Sequence, residues 1–113
     1  MVLDHNGLSS LSYGVMGGQY QPVGQVHVLN NILDFEMSPQ EAITFPRAFH
    51  FSNIYKLEKE VSKEIKDGLS KIGHNVVHID ETHGGGQAIQ IDRLKGKLIG
   101  GSDPRKDGYA KGY

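Results

Sequence analysis

The stretch VMGGQYQPVGQV (residues 15–26) decides the fold, because it contains the boundary between a strand and a helix. Before it, apolar residues alternate with small or polar ones as far as Val15, which is the period of a half-buried strand. After two glycines, Pro22 fits the first turn of a helix, where its missing N–H leaves no helical hydrogen bond unmade. Gly17 and Gly18 therefore mark a strand-to-helix corner, called the glycine corner below.

The glycine corner has two interpretations. Glycines are common wherever a chain turns sharply, because residues without Cβ accept backbone angles that other residues avoid. The same lack of Cβ lets backbone N–H groups approach a ligand oxygen, and a following helix adds positive potential at its N-terminus. From the residues alone, the corner is either a plain bend or an oxyanion hole.

The residues before the corner indicate a β-hairpin. A strand begins at once with residues 1–3, and Asn6-Gly7 suits a tight turn with positive φ at both central residues. A two-stranded hairpin is marginally stable in water, and its open edges need neighbours. We therefore expect the chain to be the tail of something longer or an obligate oligomer.

Two helices are expected after the corner, the first beginning near Pro22. In SPQEA (residues 38–42), Ser38 and Glu41 form a capping box at the start of a short helix. That helix ends before Pro46, which disfavours the helical conformation in the preceding residue. The first helix is expected to carry an apolar face made of Val26, Leu29, Ile32 and Leu33, with Phe35 near its end.

The second half of the chain combines strands with one further helix. YKLEKE (residues 55–60) indicates a brief exposed strand, and HNVVHID (residues 74–80) indicates another. THGGGQ (residues 82–87) is expected to be a loop, followed by a hairpin of two strands within residues 88–101. The helix between the first two strands ends at Gly73, a C-terminal cap. Its apolar positions are Val61, Ile65, Leu69 and Ile72.

Length and composition limit the class of protein. The chain has 113 residues and a formal net charge of -1, so we expect one domain over residues 1–113 and neither nucleic acid nor a membrane as partner. It has no cysteine, which excludes disulfides and thiolate metal ligands. No apolar run approaches the roughly 20 residues of a membrane-spanning helix, and the first residues lack the features of a signal peptide.

The histidines give little support for a metal site. His74 and His78 would share one face of a strand, but they would lie about 13 Å apart at roughly 3.3 Å per residue. That separation is too large for one shared ion. His5, His27 and His50 are scattered along the sequence. We therefore expect no metal and no other cofactor.

Two further motifs favour local structure over chemistry. HGGGQ (residues 83–87) is either a backbone nest for an anion or a mobile loop. In SDPRKDG (residues 102–108), Asp103 fits a turn and Arg105 is expected to pair with a carboxylate. The sequence contains no phosphate-binding loop, nucleophile elbow or recognisable Ser-His-Asp arrangement. The residues alone thus indicate an α/β domain with a candidate oxyanion corner.

Four stretches resemble the C-terminal part of the small subunit of the gamma-glutamyltranspeptidase (glutathione hydrolase) family. GVMGG (residues 14–18) resembles the family's Gly-Ser-Pro-Gly-Gly, and LNNILDFEMSPQEAITFPRAFH (residues 29–50) is similar to its segment ending in Ala-Pro-Arg-Phe-His. GGGQAIQID (residues 84–92) resembles its Gly-x-x-Gln-Ala/Ser-Ile stretch. IGGSDPRKDGYAKGY (residues 99–113) is similar to its C-terminal Gly-Ala-Ser-Asp-Pro-Arg pattern. All four occur in the family's order, so the resemblance covers the whole chain.

The resemblance implies an α+β fold, the αββα sandwich of N-terminal-nucleophile hydrolases, of which this chain is a partial layer of sheet and helices. It implies γ-glutamyl transfer to water or an amino acid by an N-terminal threonine, whose own amine acts as general base. It also implies that the backbone N–H groups of Gly17 and Gly18 form the oxyanion hole. The implied partners are a γ-glutamyl or related acyl-amide substrate, the remainder of the small subunit and the large subunit.

Several family features have no counterpart here. Nothing in the chain aligns with the threonine nucleophile, and Ser9-Ser10 is out of register with the family's Ser-Ser pair for the substrate carboxylate. Gln19-Tyr20 replaces the Ser-Arg that usually follows the glycines, which resembles the divergent, acylase-like branch. We therefore expect the isolated chain to be inactive, with its nucleophile in a longer chain or supplied by a second one.

An alternative hypothesis requires no chemistry. The open edge of the first hairpin suits a free-standing, non-catalytic α/β domain that self-associates through its sheet. The localisation stays open, because relatives are commonly exported and the residues present carry no signal for it.

Overall fold

The computed structural model describes residues 1–113, which form three α-helices and seven β-strands. None of the helices combines the length and the apolar character needed to cross a membrane. The strands are β1 Val2–Leu3, β2 Ser9–Met16, β3 Ala48–Phe51, β4 Ile54–Glu58, β5 Val76–Ile79, β6 Gly85–Asp92 and β7 Lys97–Ser102. The helices are α1 Gln21–Leu33, α2 Pro39–Thr44 and α3 Lys63–Lys71, with 3₁₀ turns at Gly18–Tyr20 and Pro104–Lys106.

The chain divides into two compact units. Unit 1 comprises Met1–Phe45 and Gly84–Tyr113, and contains α1, α2 and an antiparallel sheet of order β1-β2-β6-β7. Unit 2 comprises Pro46–His83, and contains α3 and a sheet of order β3-β4-β5 in which β4 and β5 are parallel. A single domain over residues 1–113 stays a prediction.

The core of unit 1 forms where α1 packs on β2. The predicted alternation is confirmed, because Leu11 and Val15 are both buried. A Cβ on Gly24 would lie 2.7 Å from Cγ1 of Val15 and 2.6 Å from Cε1 of Tyr20, closer than real side chains allow. Gly24 is thus the point at which α1 meets the strand and the turn before it.

This contact rotates α1 away from the predicted orientation. Val26 and Leu33 are 57% and 56% exposed, so the predicted apolar face is wrong at these positions. Because Gly24 must face β2, the residues about one and two turns later face the same way. The buried residues of α1 are Gly24, Val28, Asn31 and Ile32.

The first hairpin is confirmed, but its turn differs from the prediction. Gly7 has positive φ (77°), whereas Asn6 does not. The Asp4 carboxylate accepts hydrogen bonds from the N–H groups of Asn6 (2.9 Å) and Leu8 (3.0 Å). The Asp4 N–H also donates to the carbonyl oxygen of Leu8 (2.8 Å). A wider loop organised by the Asp4 side chain therefore replaces the two-residue turn.

The capping box of α2 is confirmed. The Ser38 hydroxyl accepts from the N–H of Glu41 (3.3 Å), and the Glu41 carboxylate accepts from the N–H of Ser38 (2.9 Å). Phe45 has an extended ψ of 138°, and the helix ends before Pro46 as predicted. The Gln40 side chain then ties α2 to β7, because it exchanges two hydrogen bonds with the backbone of Ser102 (2.9 and 3.0 Å).

Unit 2 departs most from the prediction. β3 was not predicted, and β4 is not an exposed strand, because Leu57 and Glu58 are buried. The Glu58 carboxylate accepts from the N–H groups of Arg47 (2.9 Å) and His83 (2.8 Å), so one side chain joins the beginning and the end of the unit. The predicted third helix forms with its cap at Gly73 (φ 101°), although none of its residues is buried.

The capping box predicts a pH-dependent contribution of Glu41 to stability. Hydrogen bonds from the Ser38 hydroxyl and then the Ser38 N–H lower the pKa of Glu41 from its usual value. Because folding favours the carboxylate, this stabilisation is present above the pKa of unfolded glutamate and is lost as pH falls through the lowered pKa. Wild type should therefore have a higher free energy of unfolding in urea than Glu41→Gln at about pH 7, and this difference should shrink as the pH is lowered towards about 3. A difference that stays constant over this range would contradict the assignment.

Candidate active site

The glycine corner joins the end of β2 to the helical segment. β2 ends at Met16, and the 3₁₀ turn Gly18–Tyr20 runs directly into α1. Gly17 has φ 139° and Gly18 has φ 56°, both in the region that favours glycine. The predicted strand-to-helix corner is thereby confirmed as a structure.

The N–H groups of Gly17 and Gly18 make no hydrogen bond within the chain as donors. Their carbonyl groups are engaged, because Tyr20 donates to Gly17 O (3.0 Å) and Gln21 donates to Gly18 O. Both glycines are exposed. The corner therefore presents two neighbouring donors at the beginning of a helical segment, which is the arrangement that binds a developing oxyanion.

A second glycine backbone supports the corner from behind. A Cβ on Gly17 would lie 2.9 Å from Cα of Gly84, and a Cβ on Gly84 (φ 61°) would overlap the carbonyl oxygen of Met16. Neither position accepts a side chain without displacing the other backbone. The sequence predicts a loop at Gly84 and does not connect this residue with the corner, although three consecutive glycines signal a close backbone approach.

The HGGGQ motif is only partly a loop. β6 begins at Gly85, so the prediction of a loop through residue 87 is wrong. Gly85 pairs with Met16 of β2, and Gly86 pairs with Val15. The sheet therefore continues to the edge of the glycine corner. The N–H of Gly86 does bind an anion, but that anion is the Asp103 carboxylate of the same chain (2.7 Å).

Asp103 and Arg105 form the predicted turn and ion pair. Asp103 is 0% exposed and accepts from the backbone N–H of Arg105 (3.0 Å) and from its Nη1 (3.2 Å). Arg105 also donates to the carbonyl oxygens of Ile43 (3.0 Å) and Phe45 (3.2 Å), at the C-terminal end of α2. This ion pair links the end of β7, the beginning of β6 and α2 around the corner.

The prediction that His74 and His78 share one face of a strand is wrong, because β5 begins at Val76 and His74 precedes it. The ring of His78 hydrogen-bonds the carbonyl oxygen of Val61 (2.9 Å), whereas the ring of His74 lies 6.0 Å from that of His50 between centroids. No three His, Asp or Glu side chains lie close enough to hold one metal ion. The structure thus brings together two histidines that are 24 residues apart in sequence.

A family model for gamma-glutamyltranspeptidase matches residues 1–113. The chain belongs to the gamma-glutamyltranspeptidase family. The resemblance read from four sequence stretches is confirmed, and so is the α+β fold class, as part of the fold of the solved gamma-glutamyltranspeptidases.

Three known proteins show what this chain is similar to. The chain is 33% identical over 116 residues to the glutathione hydrolase-like YwrD proenzyme of Bacillus subtilis, covering 94% of this chain and 22% of the relative. It is 34% identical to the cephalosporin acylase from Bacillus halodurans, with a TM-score of 0.85 over 96% of this chain and 21% of that one. An acivicin-inhibited gamma-glutamyltranspeptidase has a TM-score of 0.84 and 28% identity over 96% of this chain and 60% of that one. The chain thus spans about a fifth of the length of the first two.

Replacing the buried carboxylate tests the structural ion pair. Asp103→Asn should lower the free energy of unfolding by about 3 kcal/mol, because Arg105 loses its partner in a buried site. Asp107→Asn in the same turn is the matched control, since Asp107 is exposed and asparagine tolerates its φ of 51°. The control should change stability by less than about 0.5 kcal/mol in urea unfolding. Equal losses in the two variants would contradict a specific role for Asp103.

Amide hydrogen exchange tests the state of the two corner donors. The N–H groups of Gly17 and Gly18 should exchange at nearly the rate of an unstructured chain, because they have no acceptor in the molecule. The N–H of Gly86, bonded to buried Asp103, should be strongly protected and serves as the internal control. Protection of Gly17 and Gly18 comparable to that of Gly86, measured by NMR, would show that the donors are already occupied.

Proposed function

We propose that this chain supplies the oxyanion hole of an amide hydrolase or acyltransferase, which transfers a γ-glutamyl or related acyl group to water or an amino acid. The observation that carries the proposal is the pair of exposed, unengaged N–H groups at Gly17 and Gly18. Family membership supports the same assignment, because a gamma-glutamyltranspeptidase model matches residues 1–113 and GVMGG (residues 14–18) resembles the family's Gly-Ser-Pro-Gly-Gly.

The proposed role follows from the charge that develops during acyl transfer. When a nucleophile attacks an amide carbonyl carbon, the carbonyl oxygen becomes an oxyanion, and donors already in place stabilise it without reorganising. The contact of Gly17 with Gly84 and the hydrogen bond from Tyr20 to Gly17 O hold this backbone in position. Loss of one such donor typically costs about 3 kcal/mol in the transition state.

The nucleophile in this proposal lies outside the 113 residues. The family's threonine has no counterpart in this chain, and the Bacillus subtilis relative is named a proenzyme. We therefore propose that this chain provides the donors of the oxyanion hole and the structure that holds them. A longer chain or a second subunit would provide the threonine and the contacts to the substrate carboxylate. The bond class is an amide, whereas the acyl group is left open because Gln19-Tyr20 replaces the usual Ser-Arg.

The catalytic test begins with the chain alone. The purified 113-residue polypeptide should not release the chromophore from a γ-glutamyl anilide, because no threonine nucleophile is matched within it. Turnover by this polypeptide, with contaminating enzymes excluded, would contradict the division of the site between segments.

The second arm uses the assembly that carries the threonine. Gly18→Ala should lower kcat by about tenfold or more, because an added Cβ disfavours the backbone that directs the donor. Gly96→Ala is the matched control, since Gly96 has a similar φ (62° against 56°) and open space around it. Both variants should lose similar stability. Equal kcat values for the two variants would contradict the proposed role of Gly18 in the oxyanion hole.

The second candidate function is a non-catalytic domain that self-associates through its sheet. β1 pairs with β2 only at Leu11 and Ser9, so the same edge of β2 over residues 12–16 has no neighbouring strand. Such an edge is a template for pairing with another chain. A discrete oligomer in light scattering supports this candidate, whereas a monomer or a heterogeneous aggregate argues against it.

A further inference from the structure

Two of the six histidines differ from the rest in their hydrogen bonding. The imidazole rings of His50 and His74 make no hydrogen bond within the chain, and both residues are exposed. The other four rings each have an intramolecular partner. These partners are Asn6 for His5, Asn31 for His27, the Val61 carbonyl for His78 and the Lys56 carbonyl for His83.

The two uncommitted rings are neighbours in unit 2. Their centroids are 6.0 Å apart with an angle of 65° between planes. The ring of Tyr55 packs against both, at 5.6 Å from His50 and 5.4 Å from His74. Tyr55 therefore restricts the orientations that the two imidazoles adopt.

The backbone fixes this arrangement. His50 of β3 lies directly opposite Tyr55 of β4, and cross-strand partners lie on the same face of an antiparallel pair. The N–H of Tyr55 donates to the carbonyl oxygen of Asn75 (2.7 Å), which holds the residue after His74 beside β4. The histidine pair is thus formed by three chain segments and not by one flexible loop.

We propose that His50 and His74 form a two-histidine binding site for a divalent first-row transition metal ion. Two imidazoles that bind one ion at ~2.1 Å place their ring centroids roughly 5–6 Å apart, and the observed centroid distance of 6.0 Å lies at the upper end of this range. Imidazole nitrogen suits Cu²⁺, Ni²⁺ and Zn²⁺, and the affinity should be highest for Cu²⁺. Water fills the remaining coordination positions.

Protons compete with the metal ion for the imidazole nitrogens of His50 and His74. A metal ion binds the neutral imidazole, so binding releases protons and the affinity should fall as the solution becomes more acidic. The inference is independent of the proposed catalytic role, because neither histidine belongs to the glycine corner. Failure of one proposal leaves the other unaffected.

Calorimetric titration of the 113-residue chain with NiCl₂ in a buffer that does not bind metal tests the site. We expect one ion per chain, and a loss of affinity of about tenfold or more in both His50→Gln and His74→Gln. His5→Gln and His78→Gln are matched controls that should leave binding unchanged. Tyr55→Phe should also retain binding, because the proposal uses the ring and not the hydroxyl. Circular dichroism checks that each variant is folded.

A second measurement locates the ion directly. Substoichiometric Cu²⁺ should broaden the NMR amide signals of residues 50, 55 and 74 before those of residue 5. No binding, binding that survives both His50→Gln and His74→Gln, or binding lost in His5→Gln would each overturn the proposal. The last result would instead place the ion at the N-terminal segment.

Discussion

The close approach of two glycine backbones is the constraint on which the candidate active site depends. Gly17 and Gly84 come so near that a Cβ on Gly17 would lie 2.9 Å from Cα of Gly84. β2 is followed directly by Gly17 and Gly18, and the N–H groups of these two glycines have no acceptor within the chain. Buried Asp103 holds β6 in place beside this corner through Gly86, and Arg105 connects the same carboxylate to the end of α2. The glycine corner is thus supported by a buried structural ion pair.

The two units satisfy buried backbone groups by similar means. In unit 1, the Asp103 carboxylate accepts hydrogen bonds from Gly86 and Arg105. In unit 2, the Glu58 carboxylate accepts from the N–H groups of Arg47 and His83, which are 36 residues apart. Buried carboxylates are costly unless they are fully hydrogen-bonded, so each one strongly specifies the segments that surround it. Asp103, Arg105 and Gly86 lie in stretches that carried the family resemblance, whereas Glu58 and His83 lie between those stretches.

Local signals in the sequence predicted much of the fold. The capping box of Ser38 and Glu41, the end of α2 before Pro46 and the glycine cap at Gly73 depend on neighbouring residues, and all three are confirmed. Predictions that required distant contacts were less successful. The buried face of α1 was wrong because Gly24 must approach Val15, and β4 was assigned to the surface because the partners of Glu58 lie far from it in sequence.

The sequence by itself determined the glycine corner, the family and most element boundaries, since these follow from backbone preferences and from residues close together along the chain. Only the tertiary structure decided that Gly84 supports the corner, that Asp103 binds Gly86, and that His50 lies beside His74. These contacts join segments separated by 17 to 67 residues. Their formation depends on strand register and on which groups lose water on burial, and neither is encoded in any short stretch.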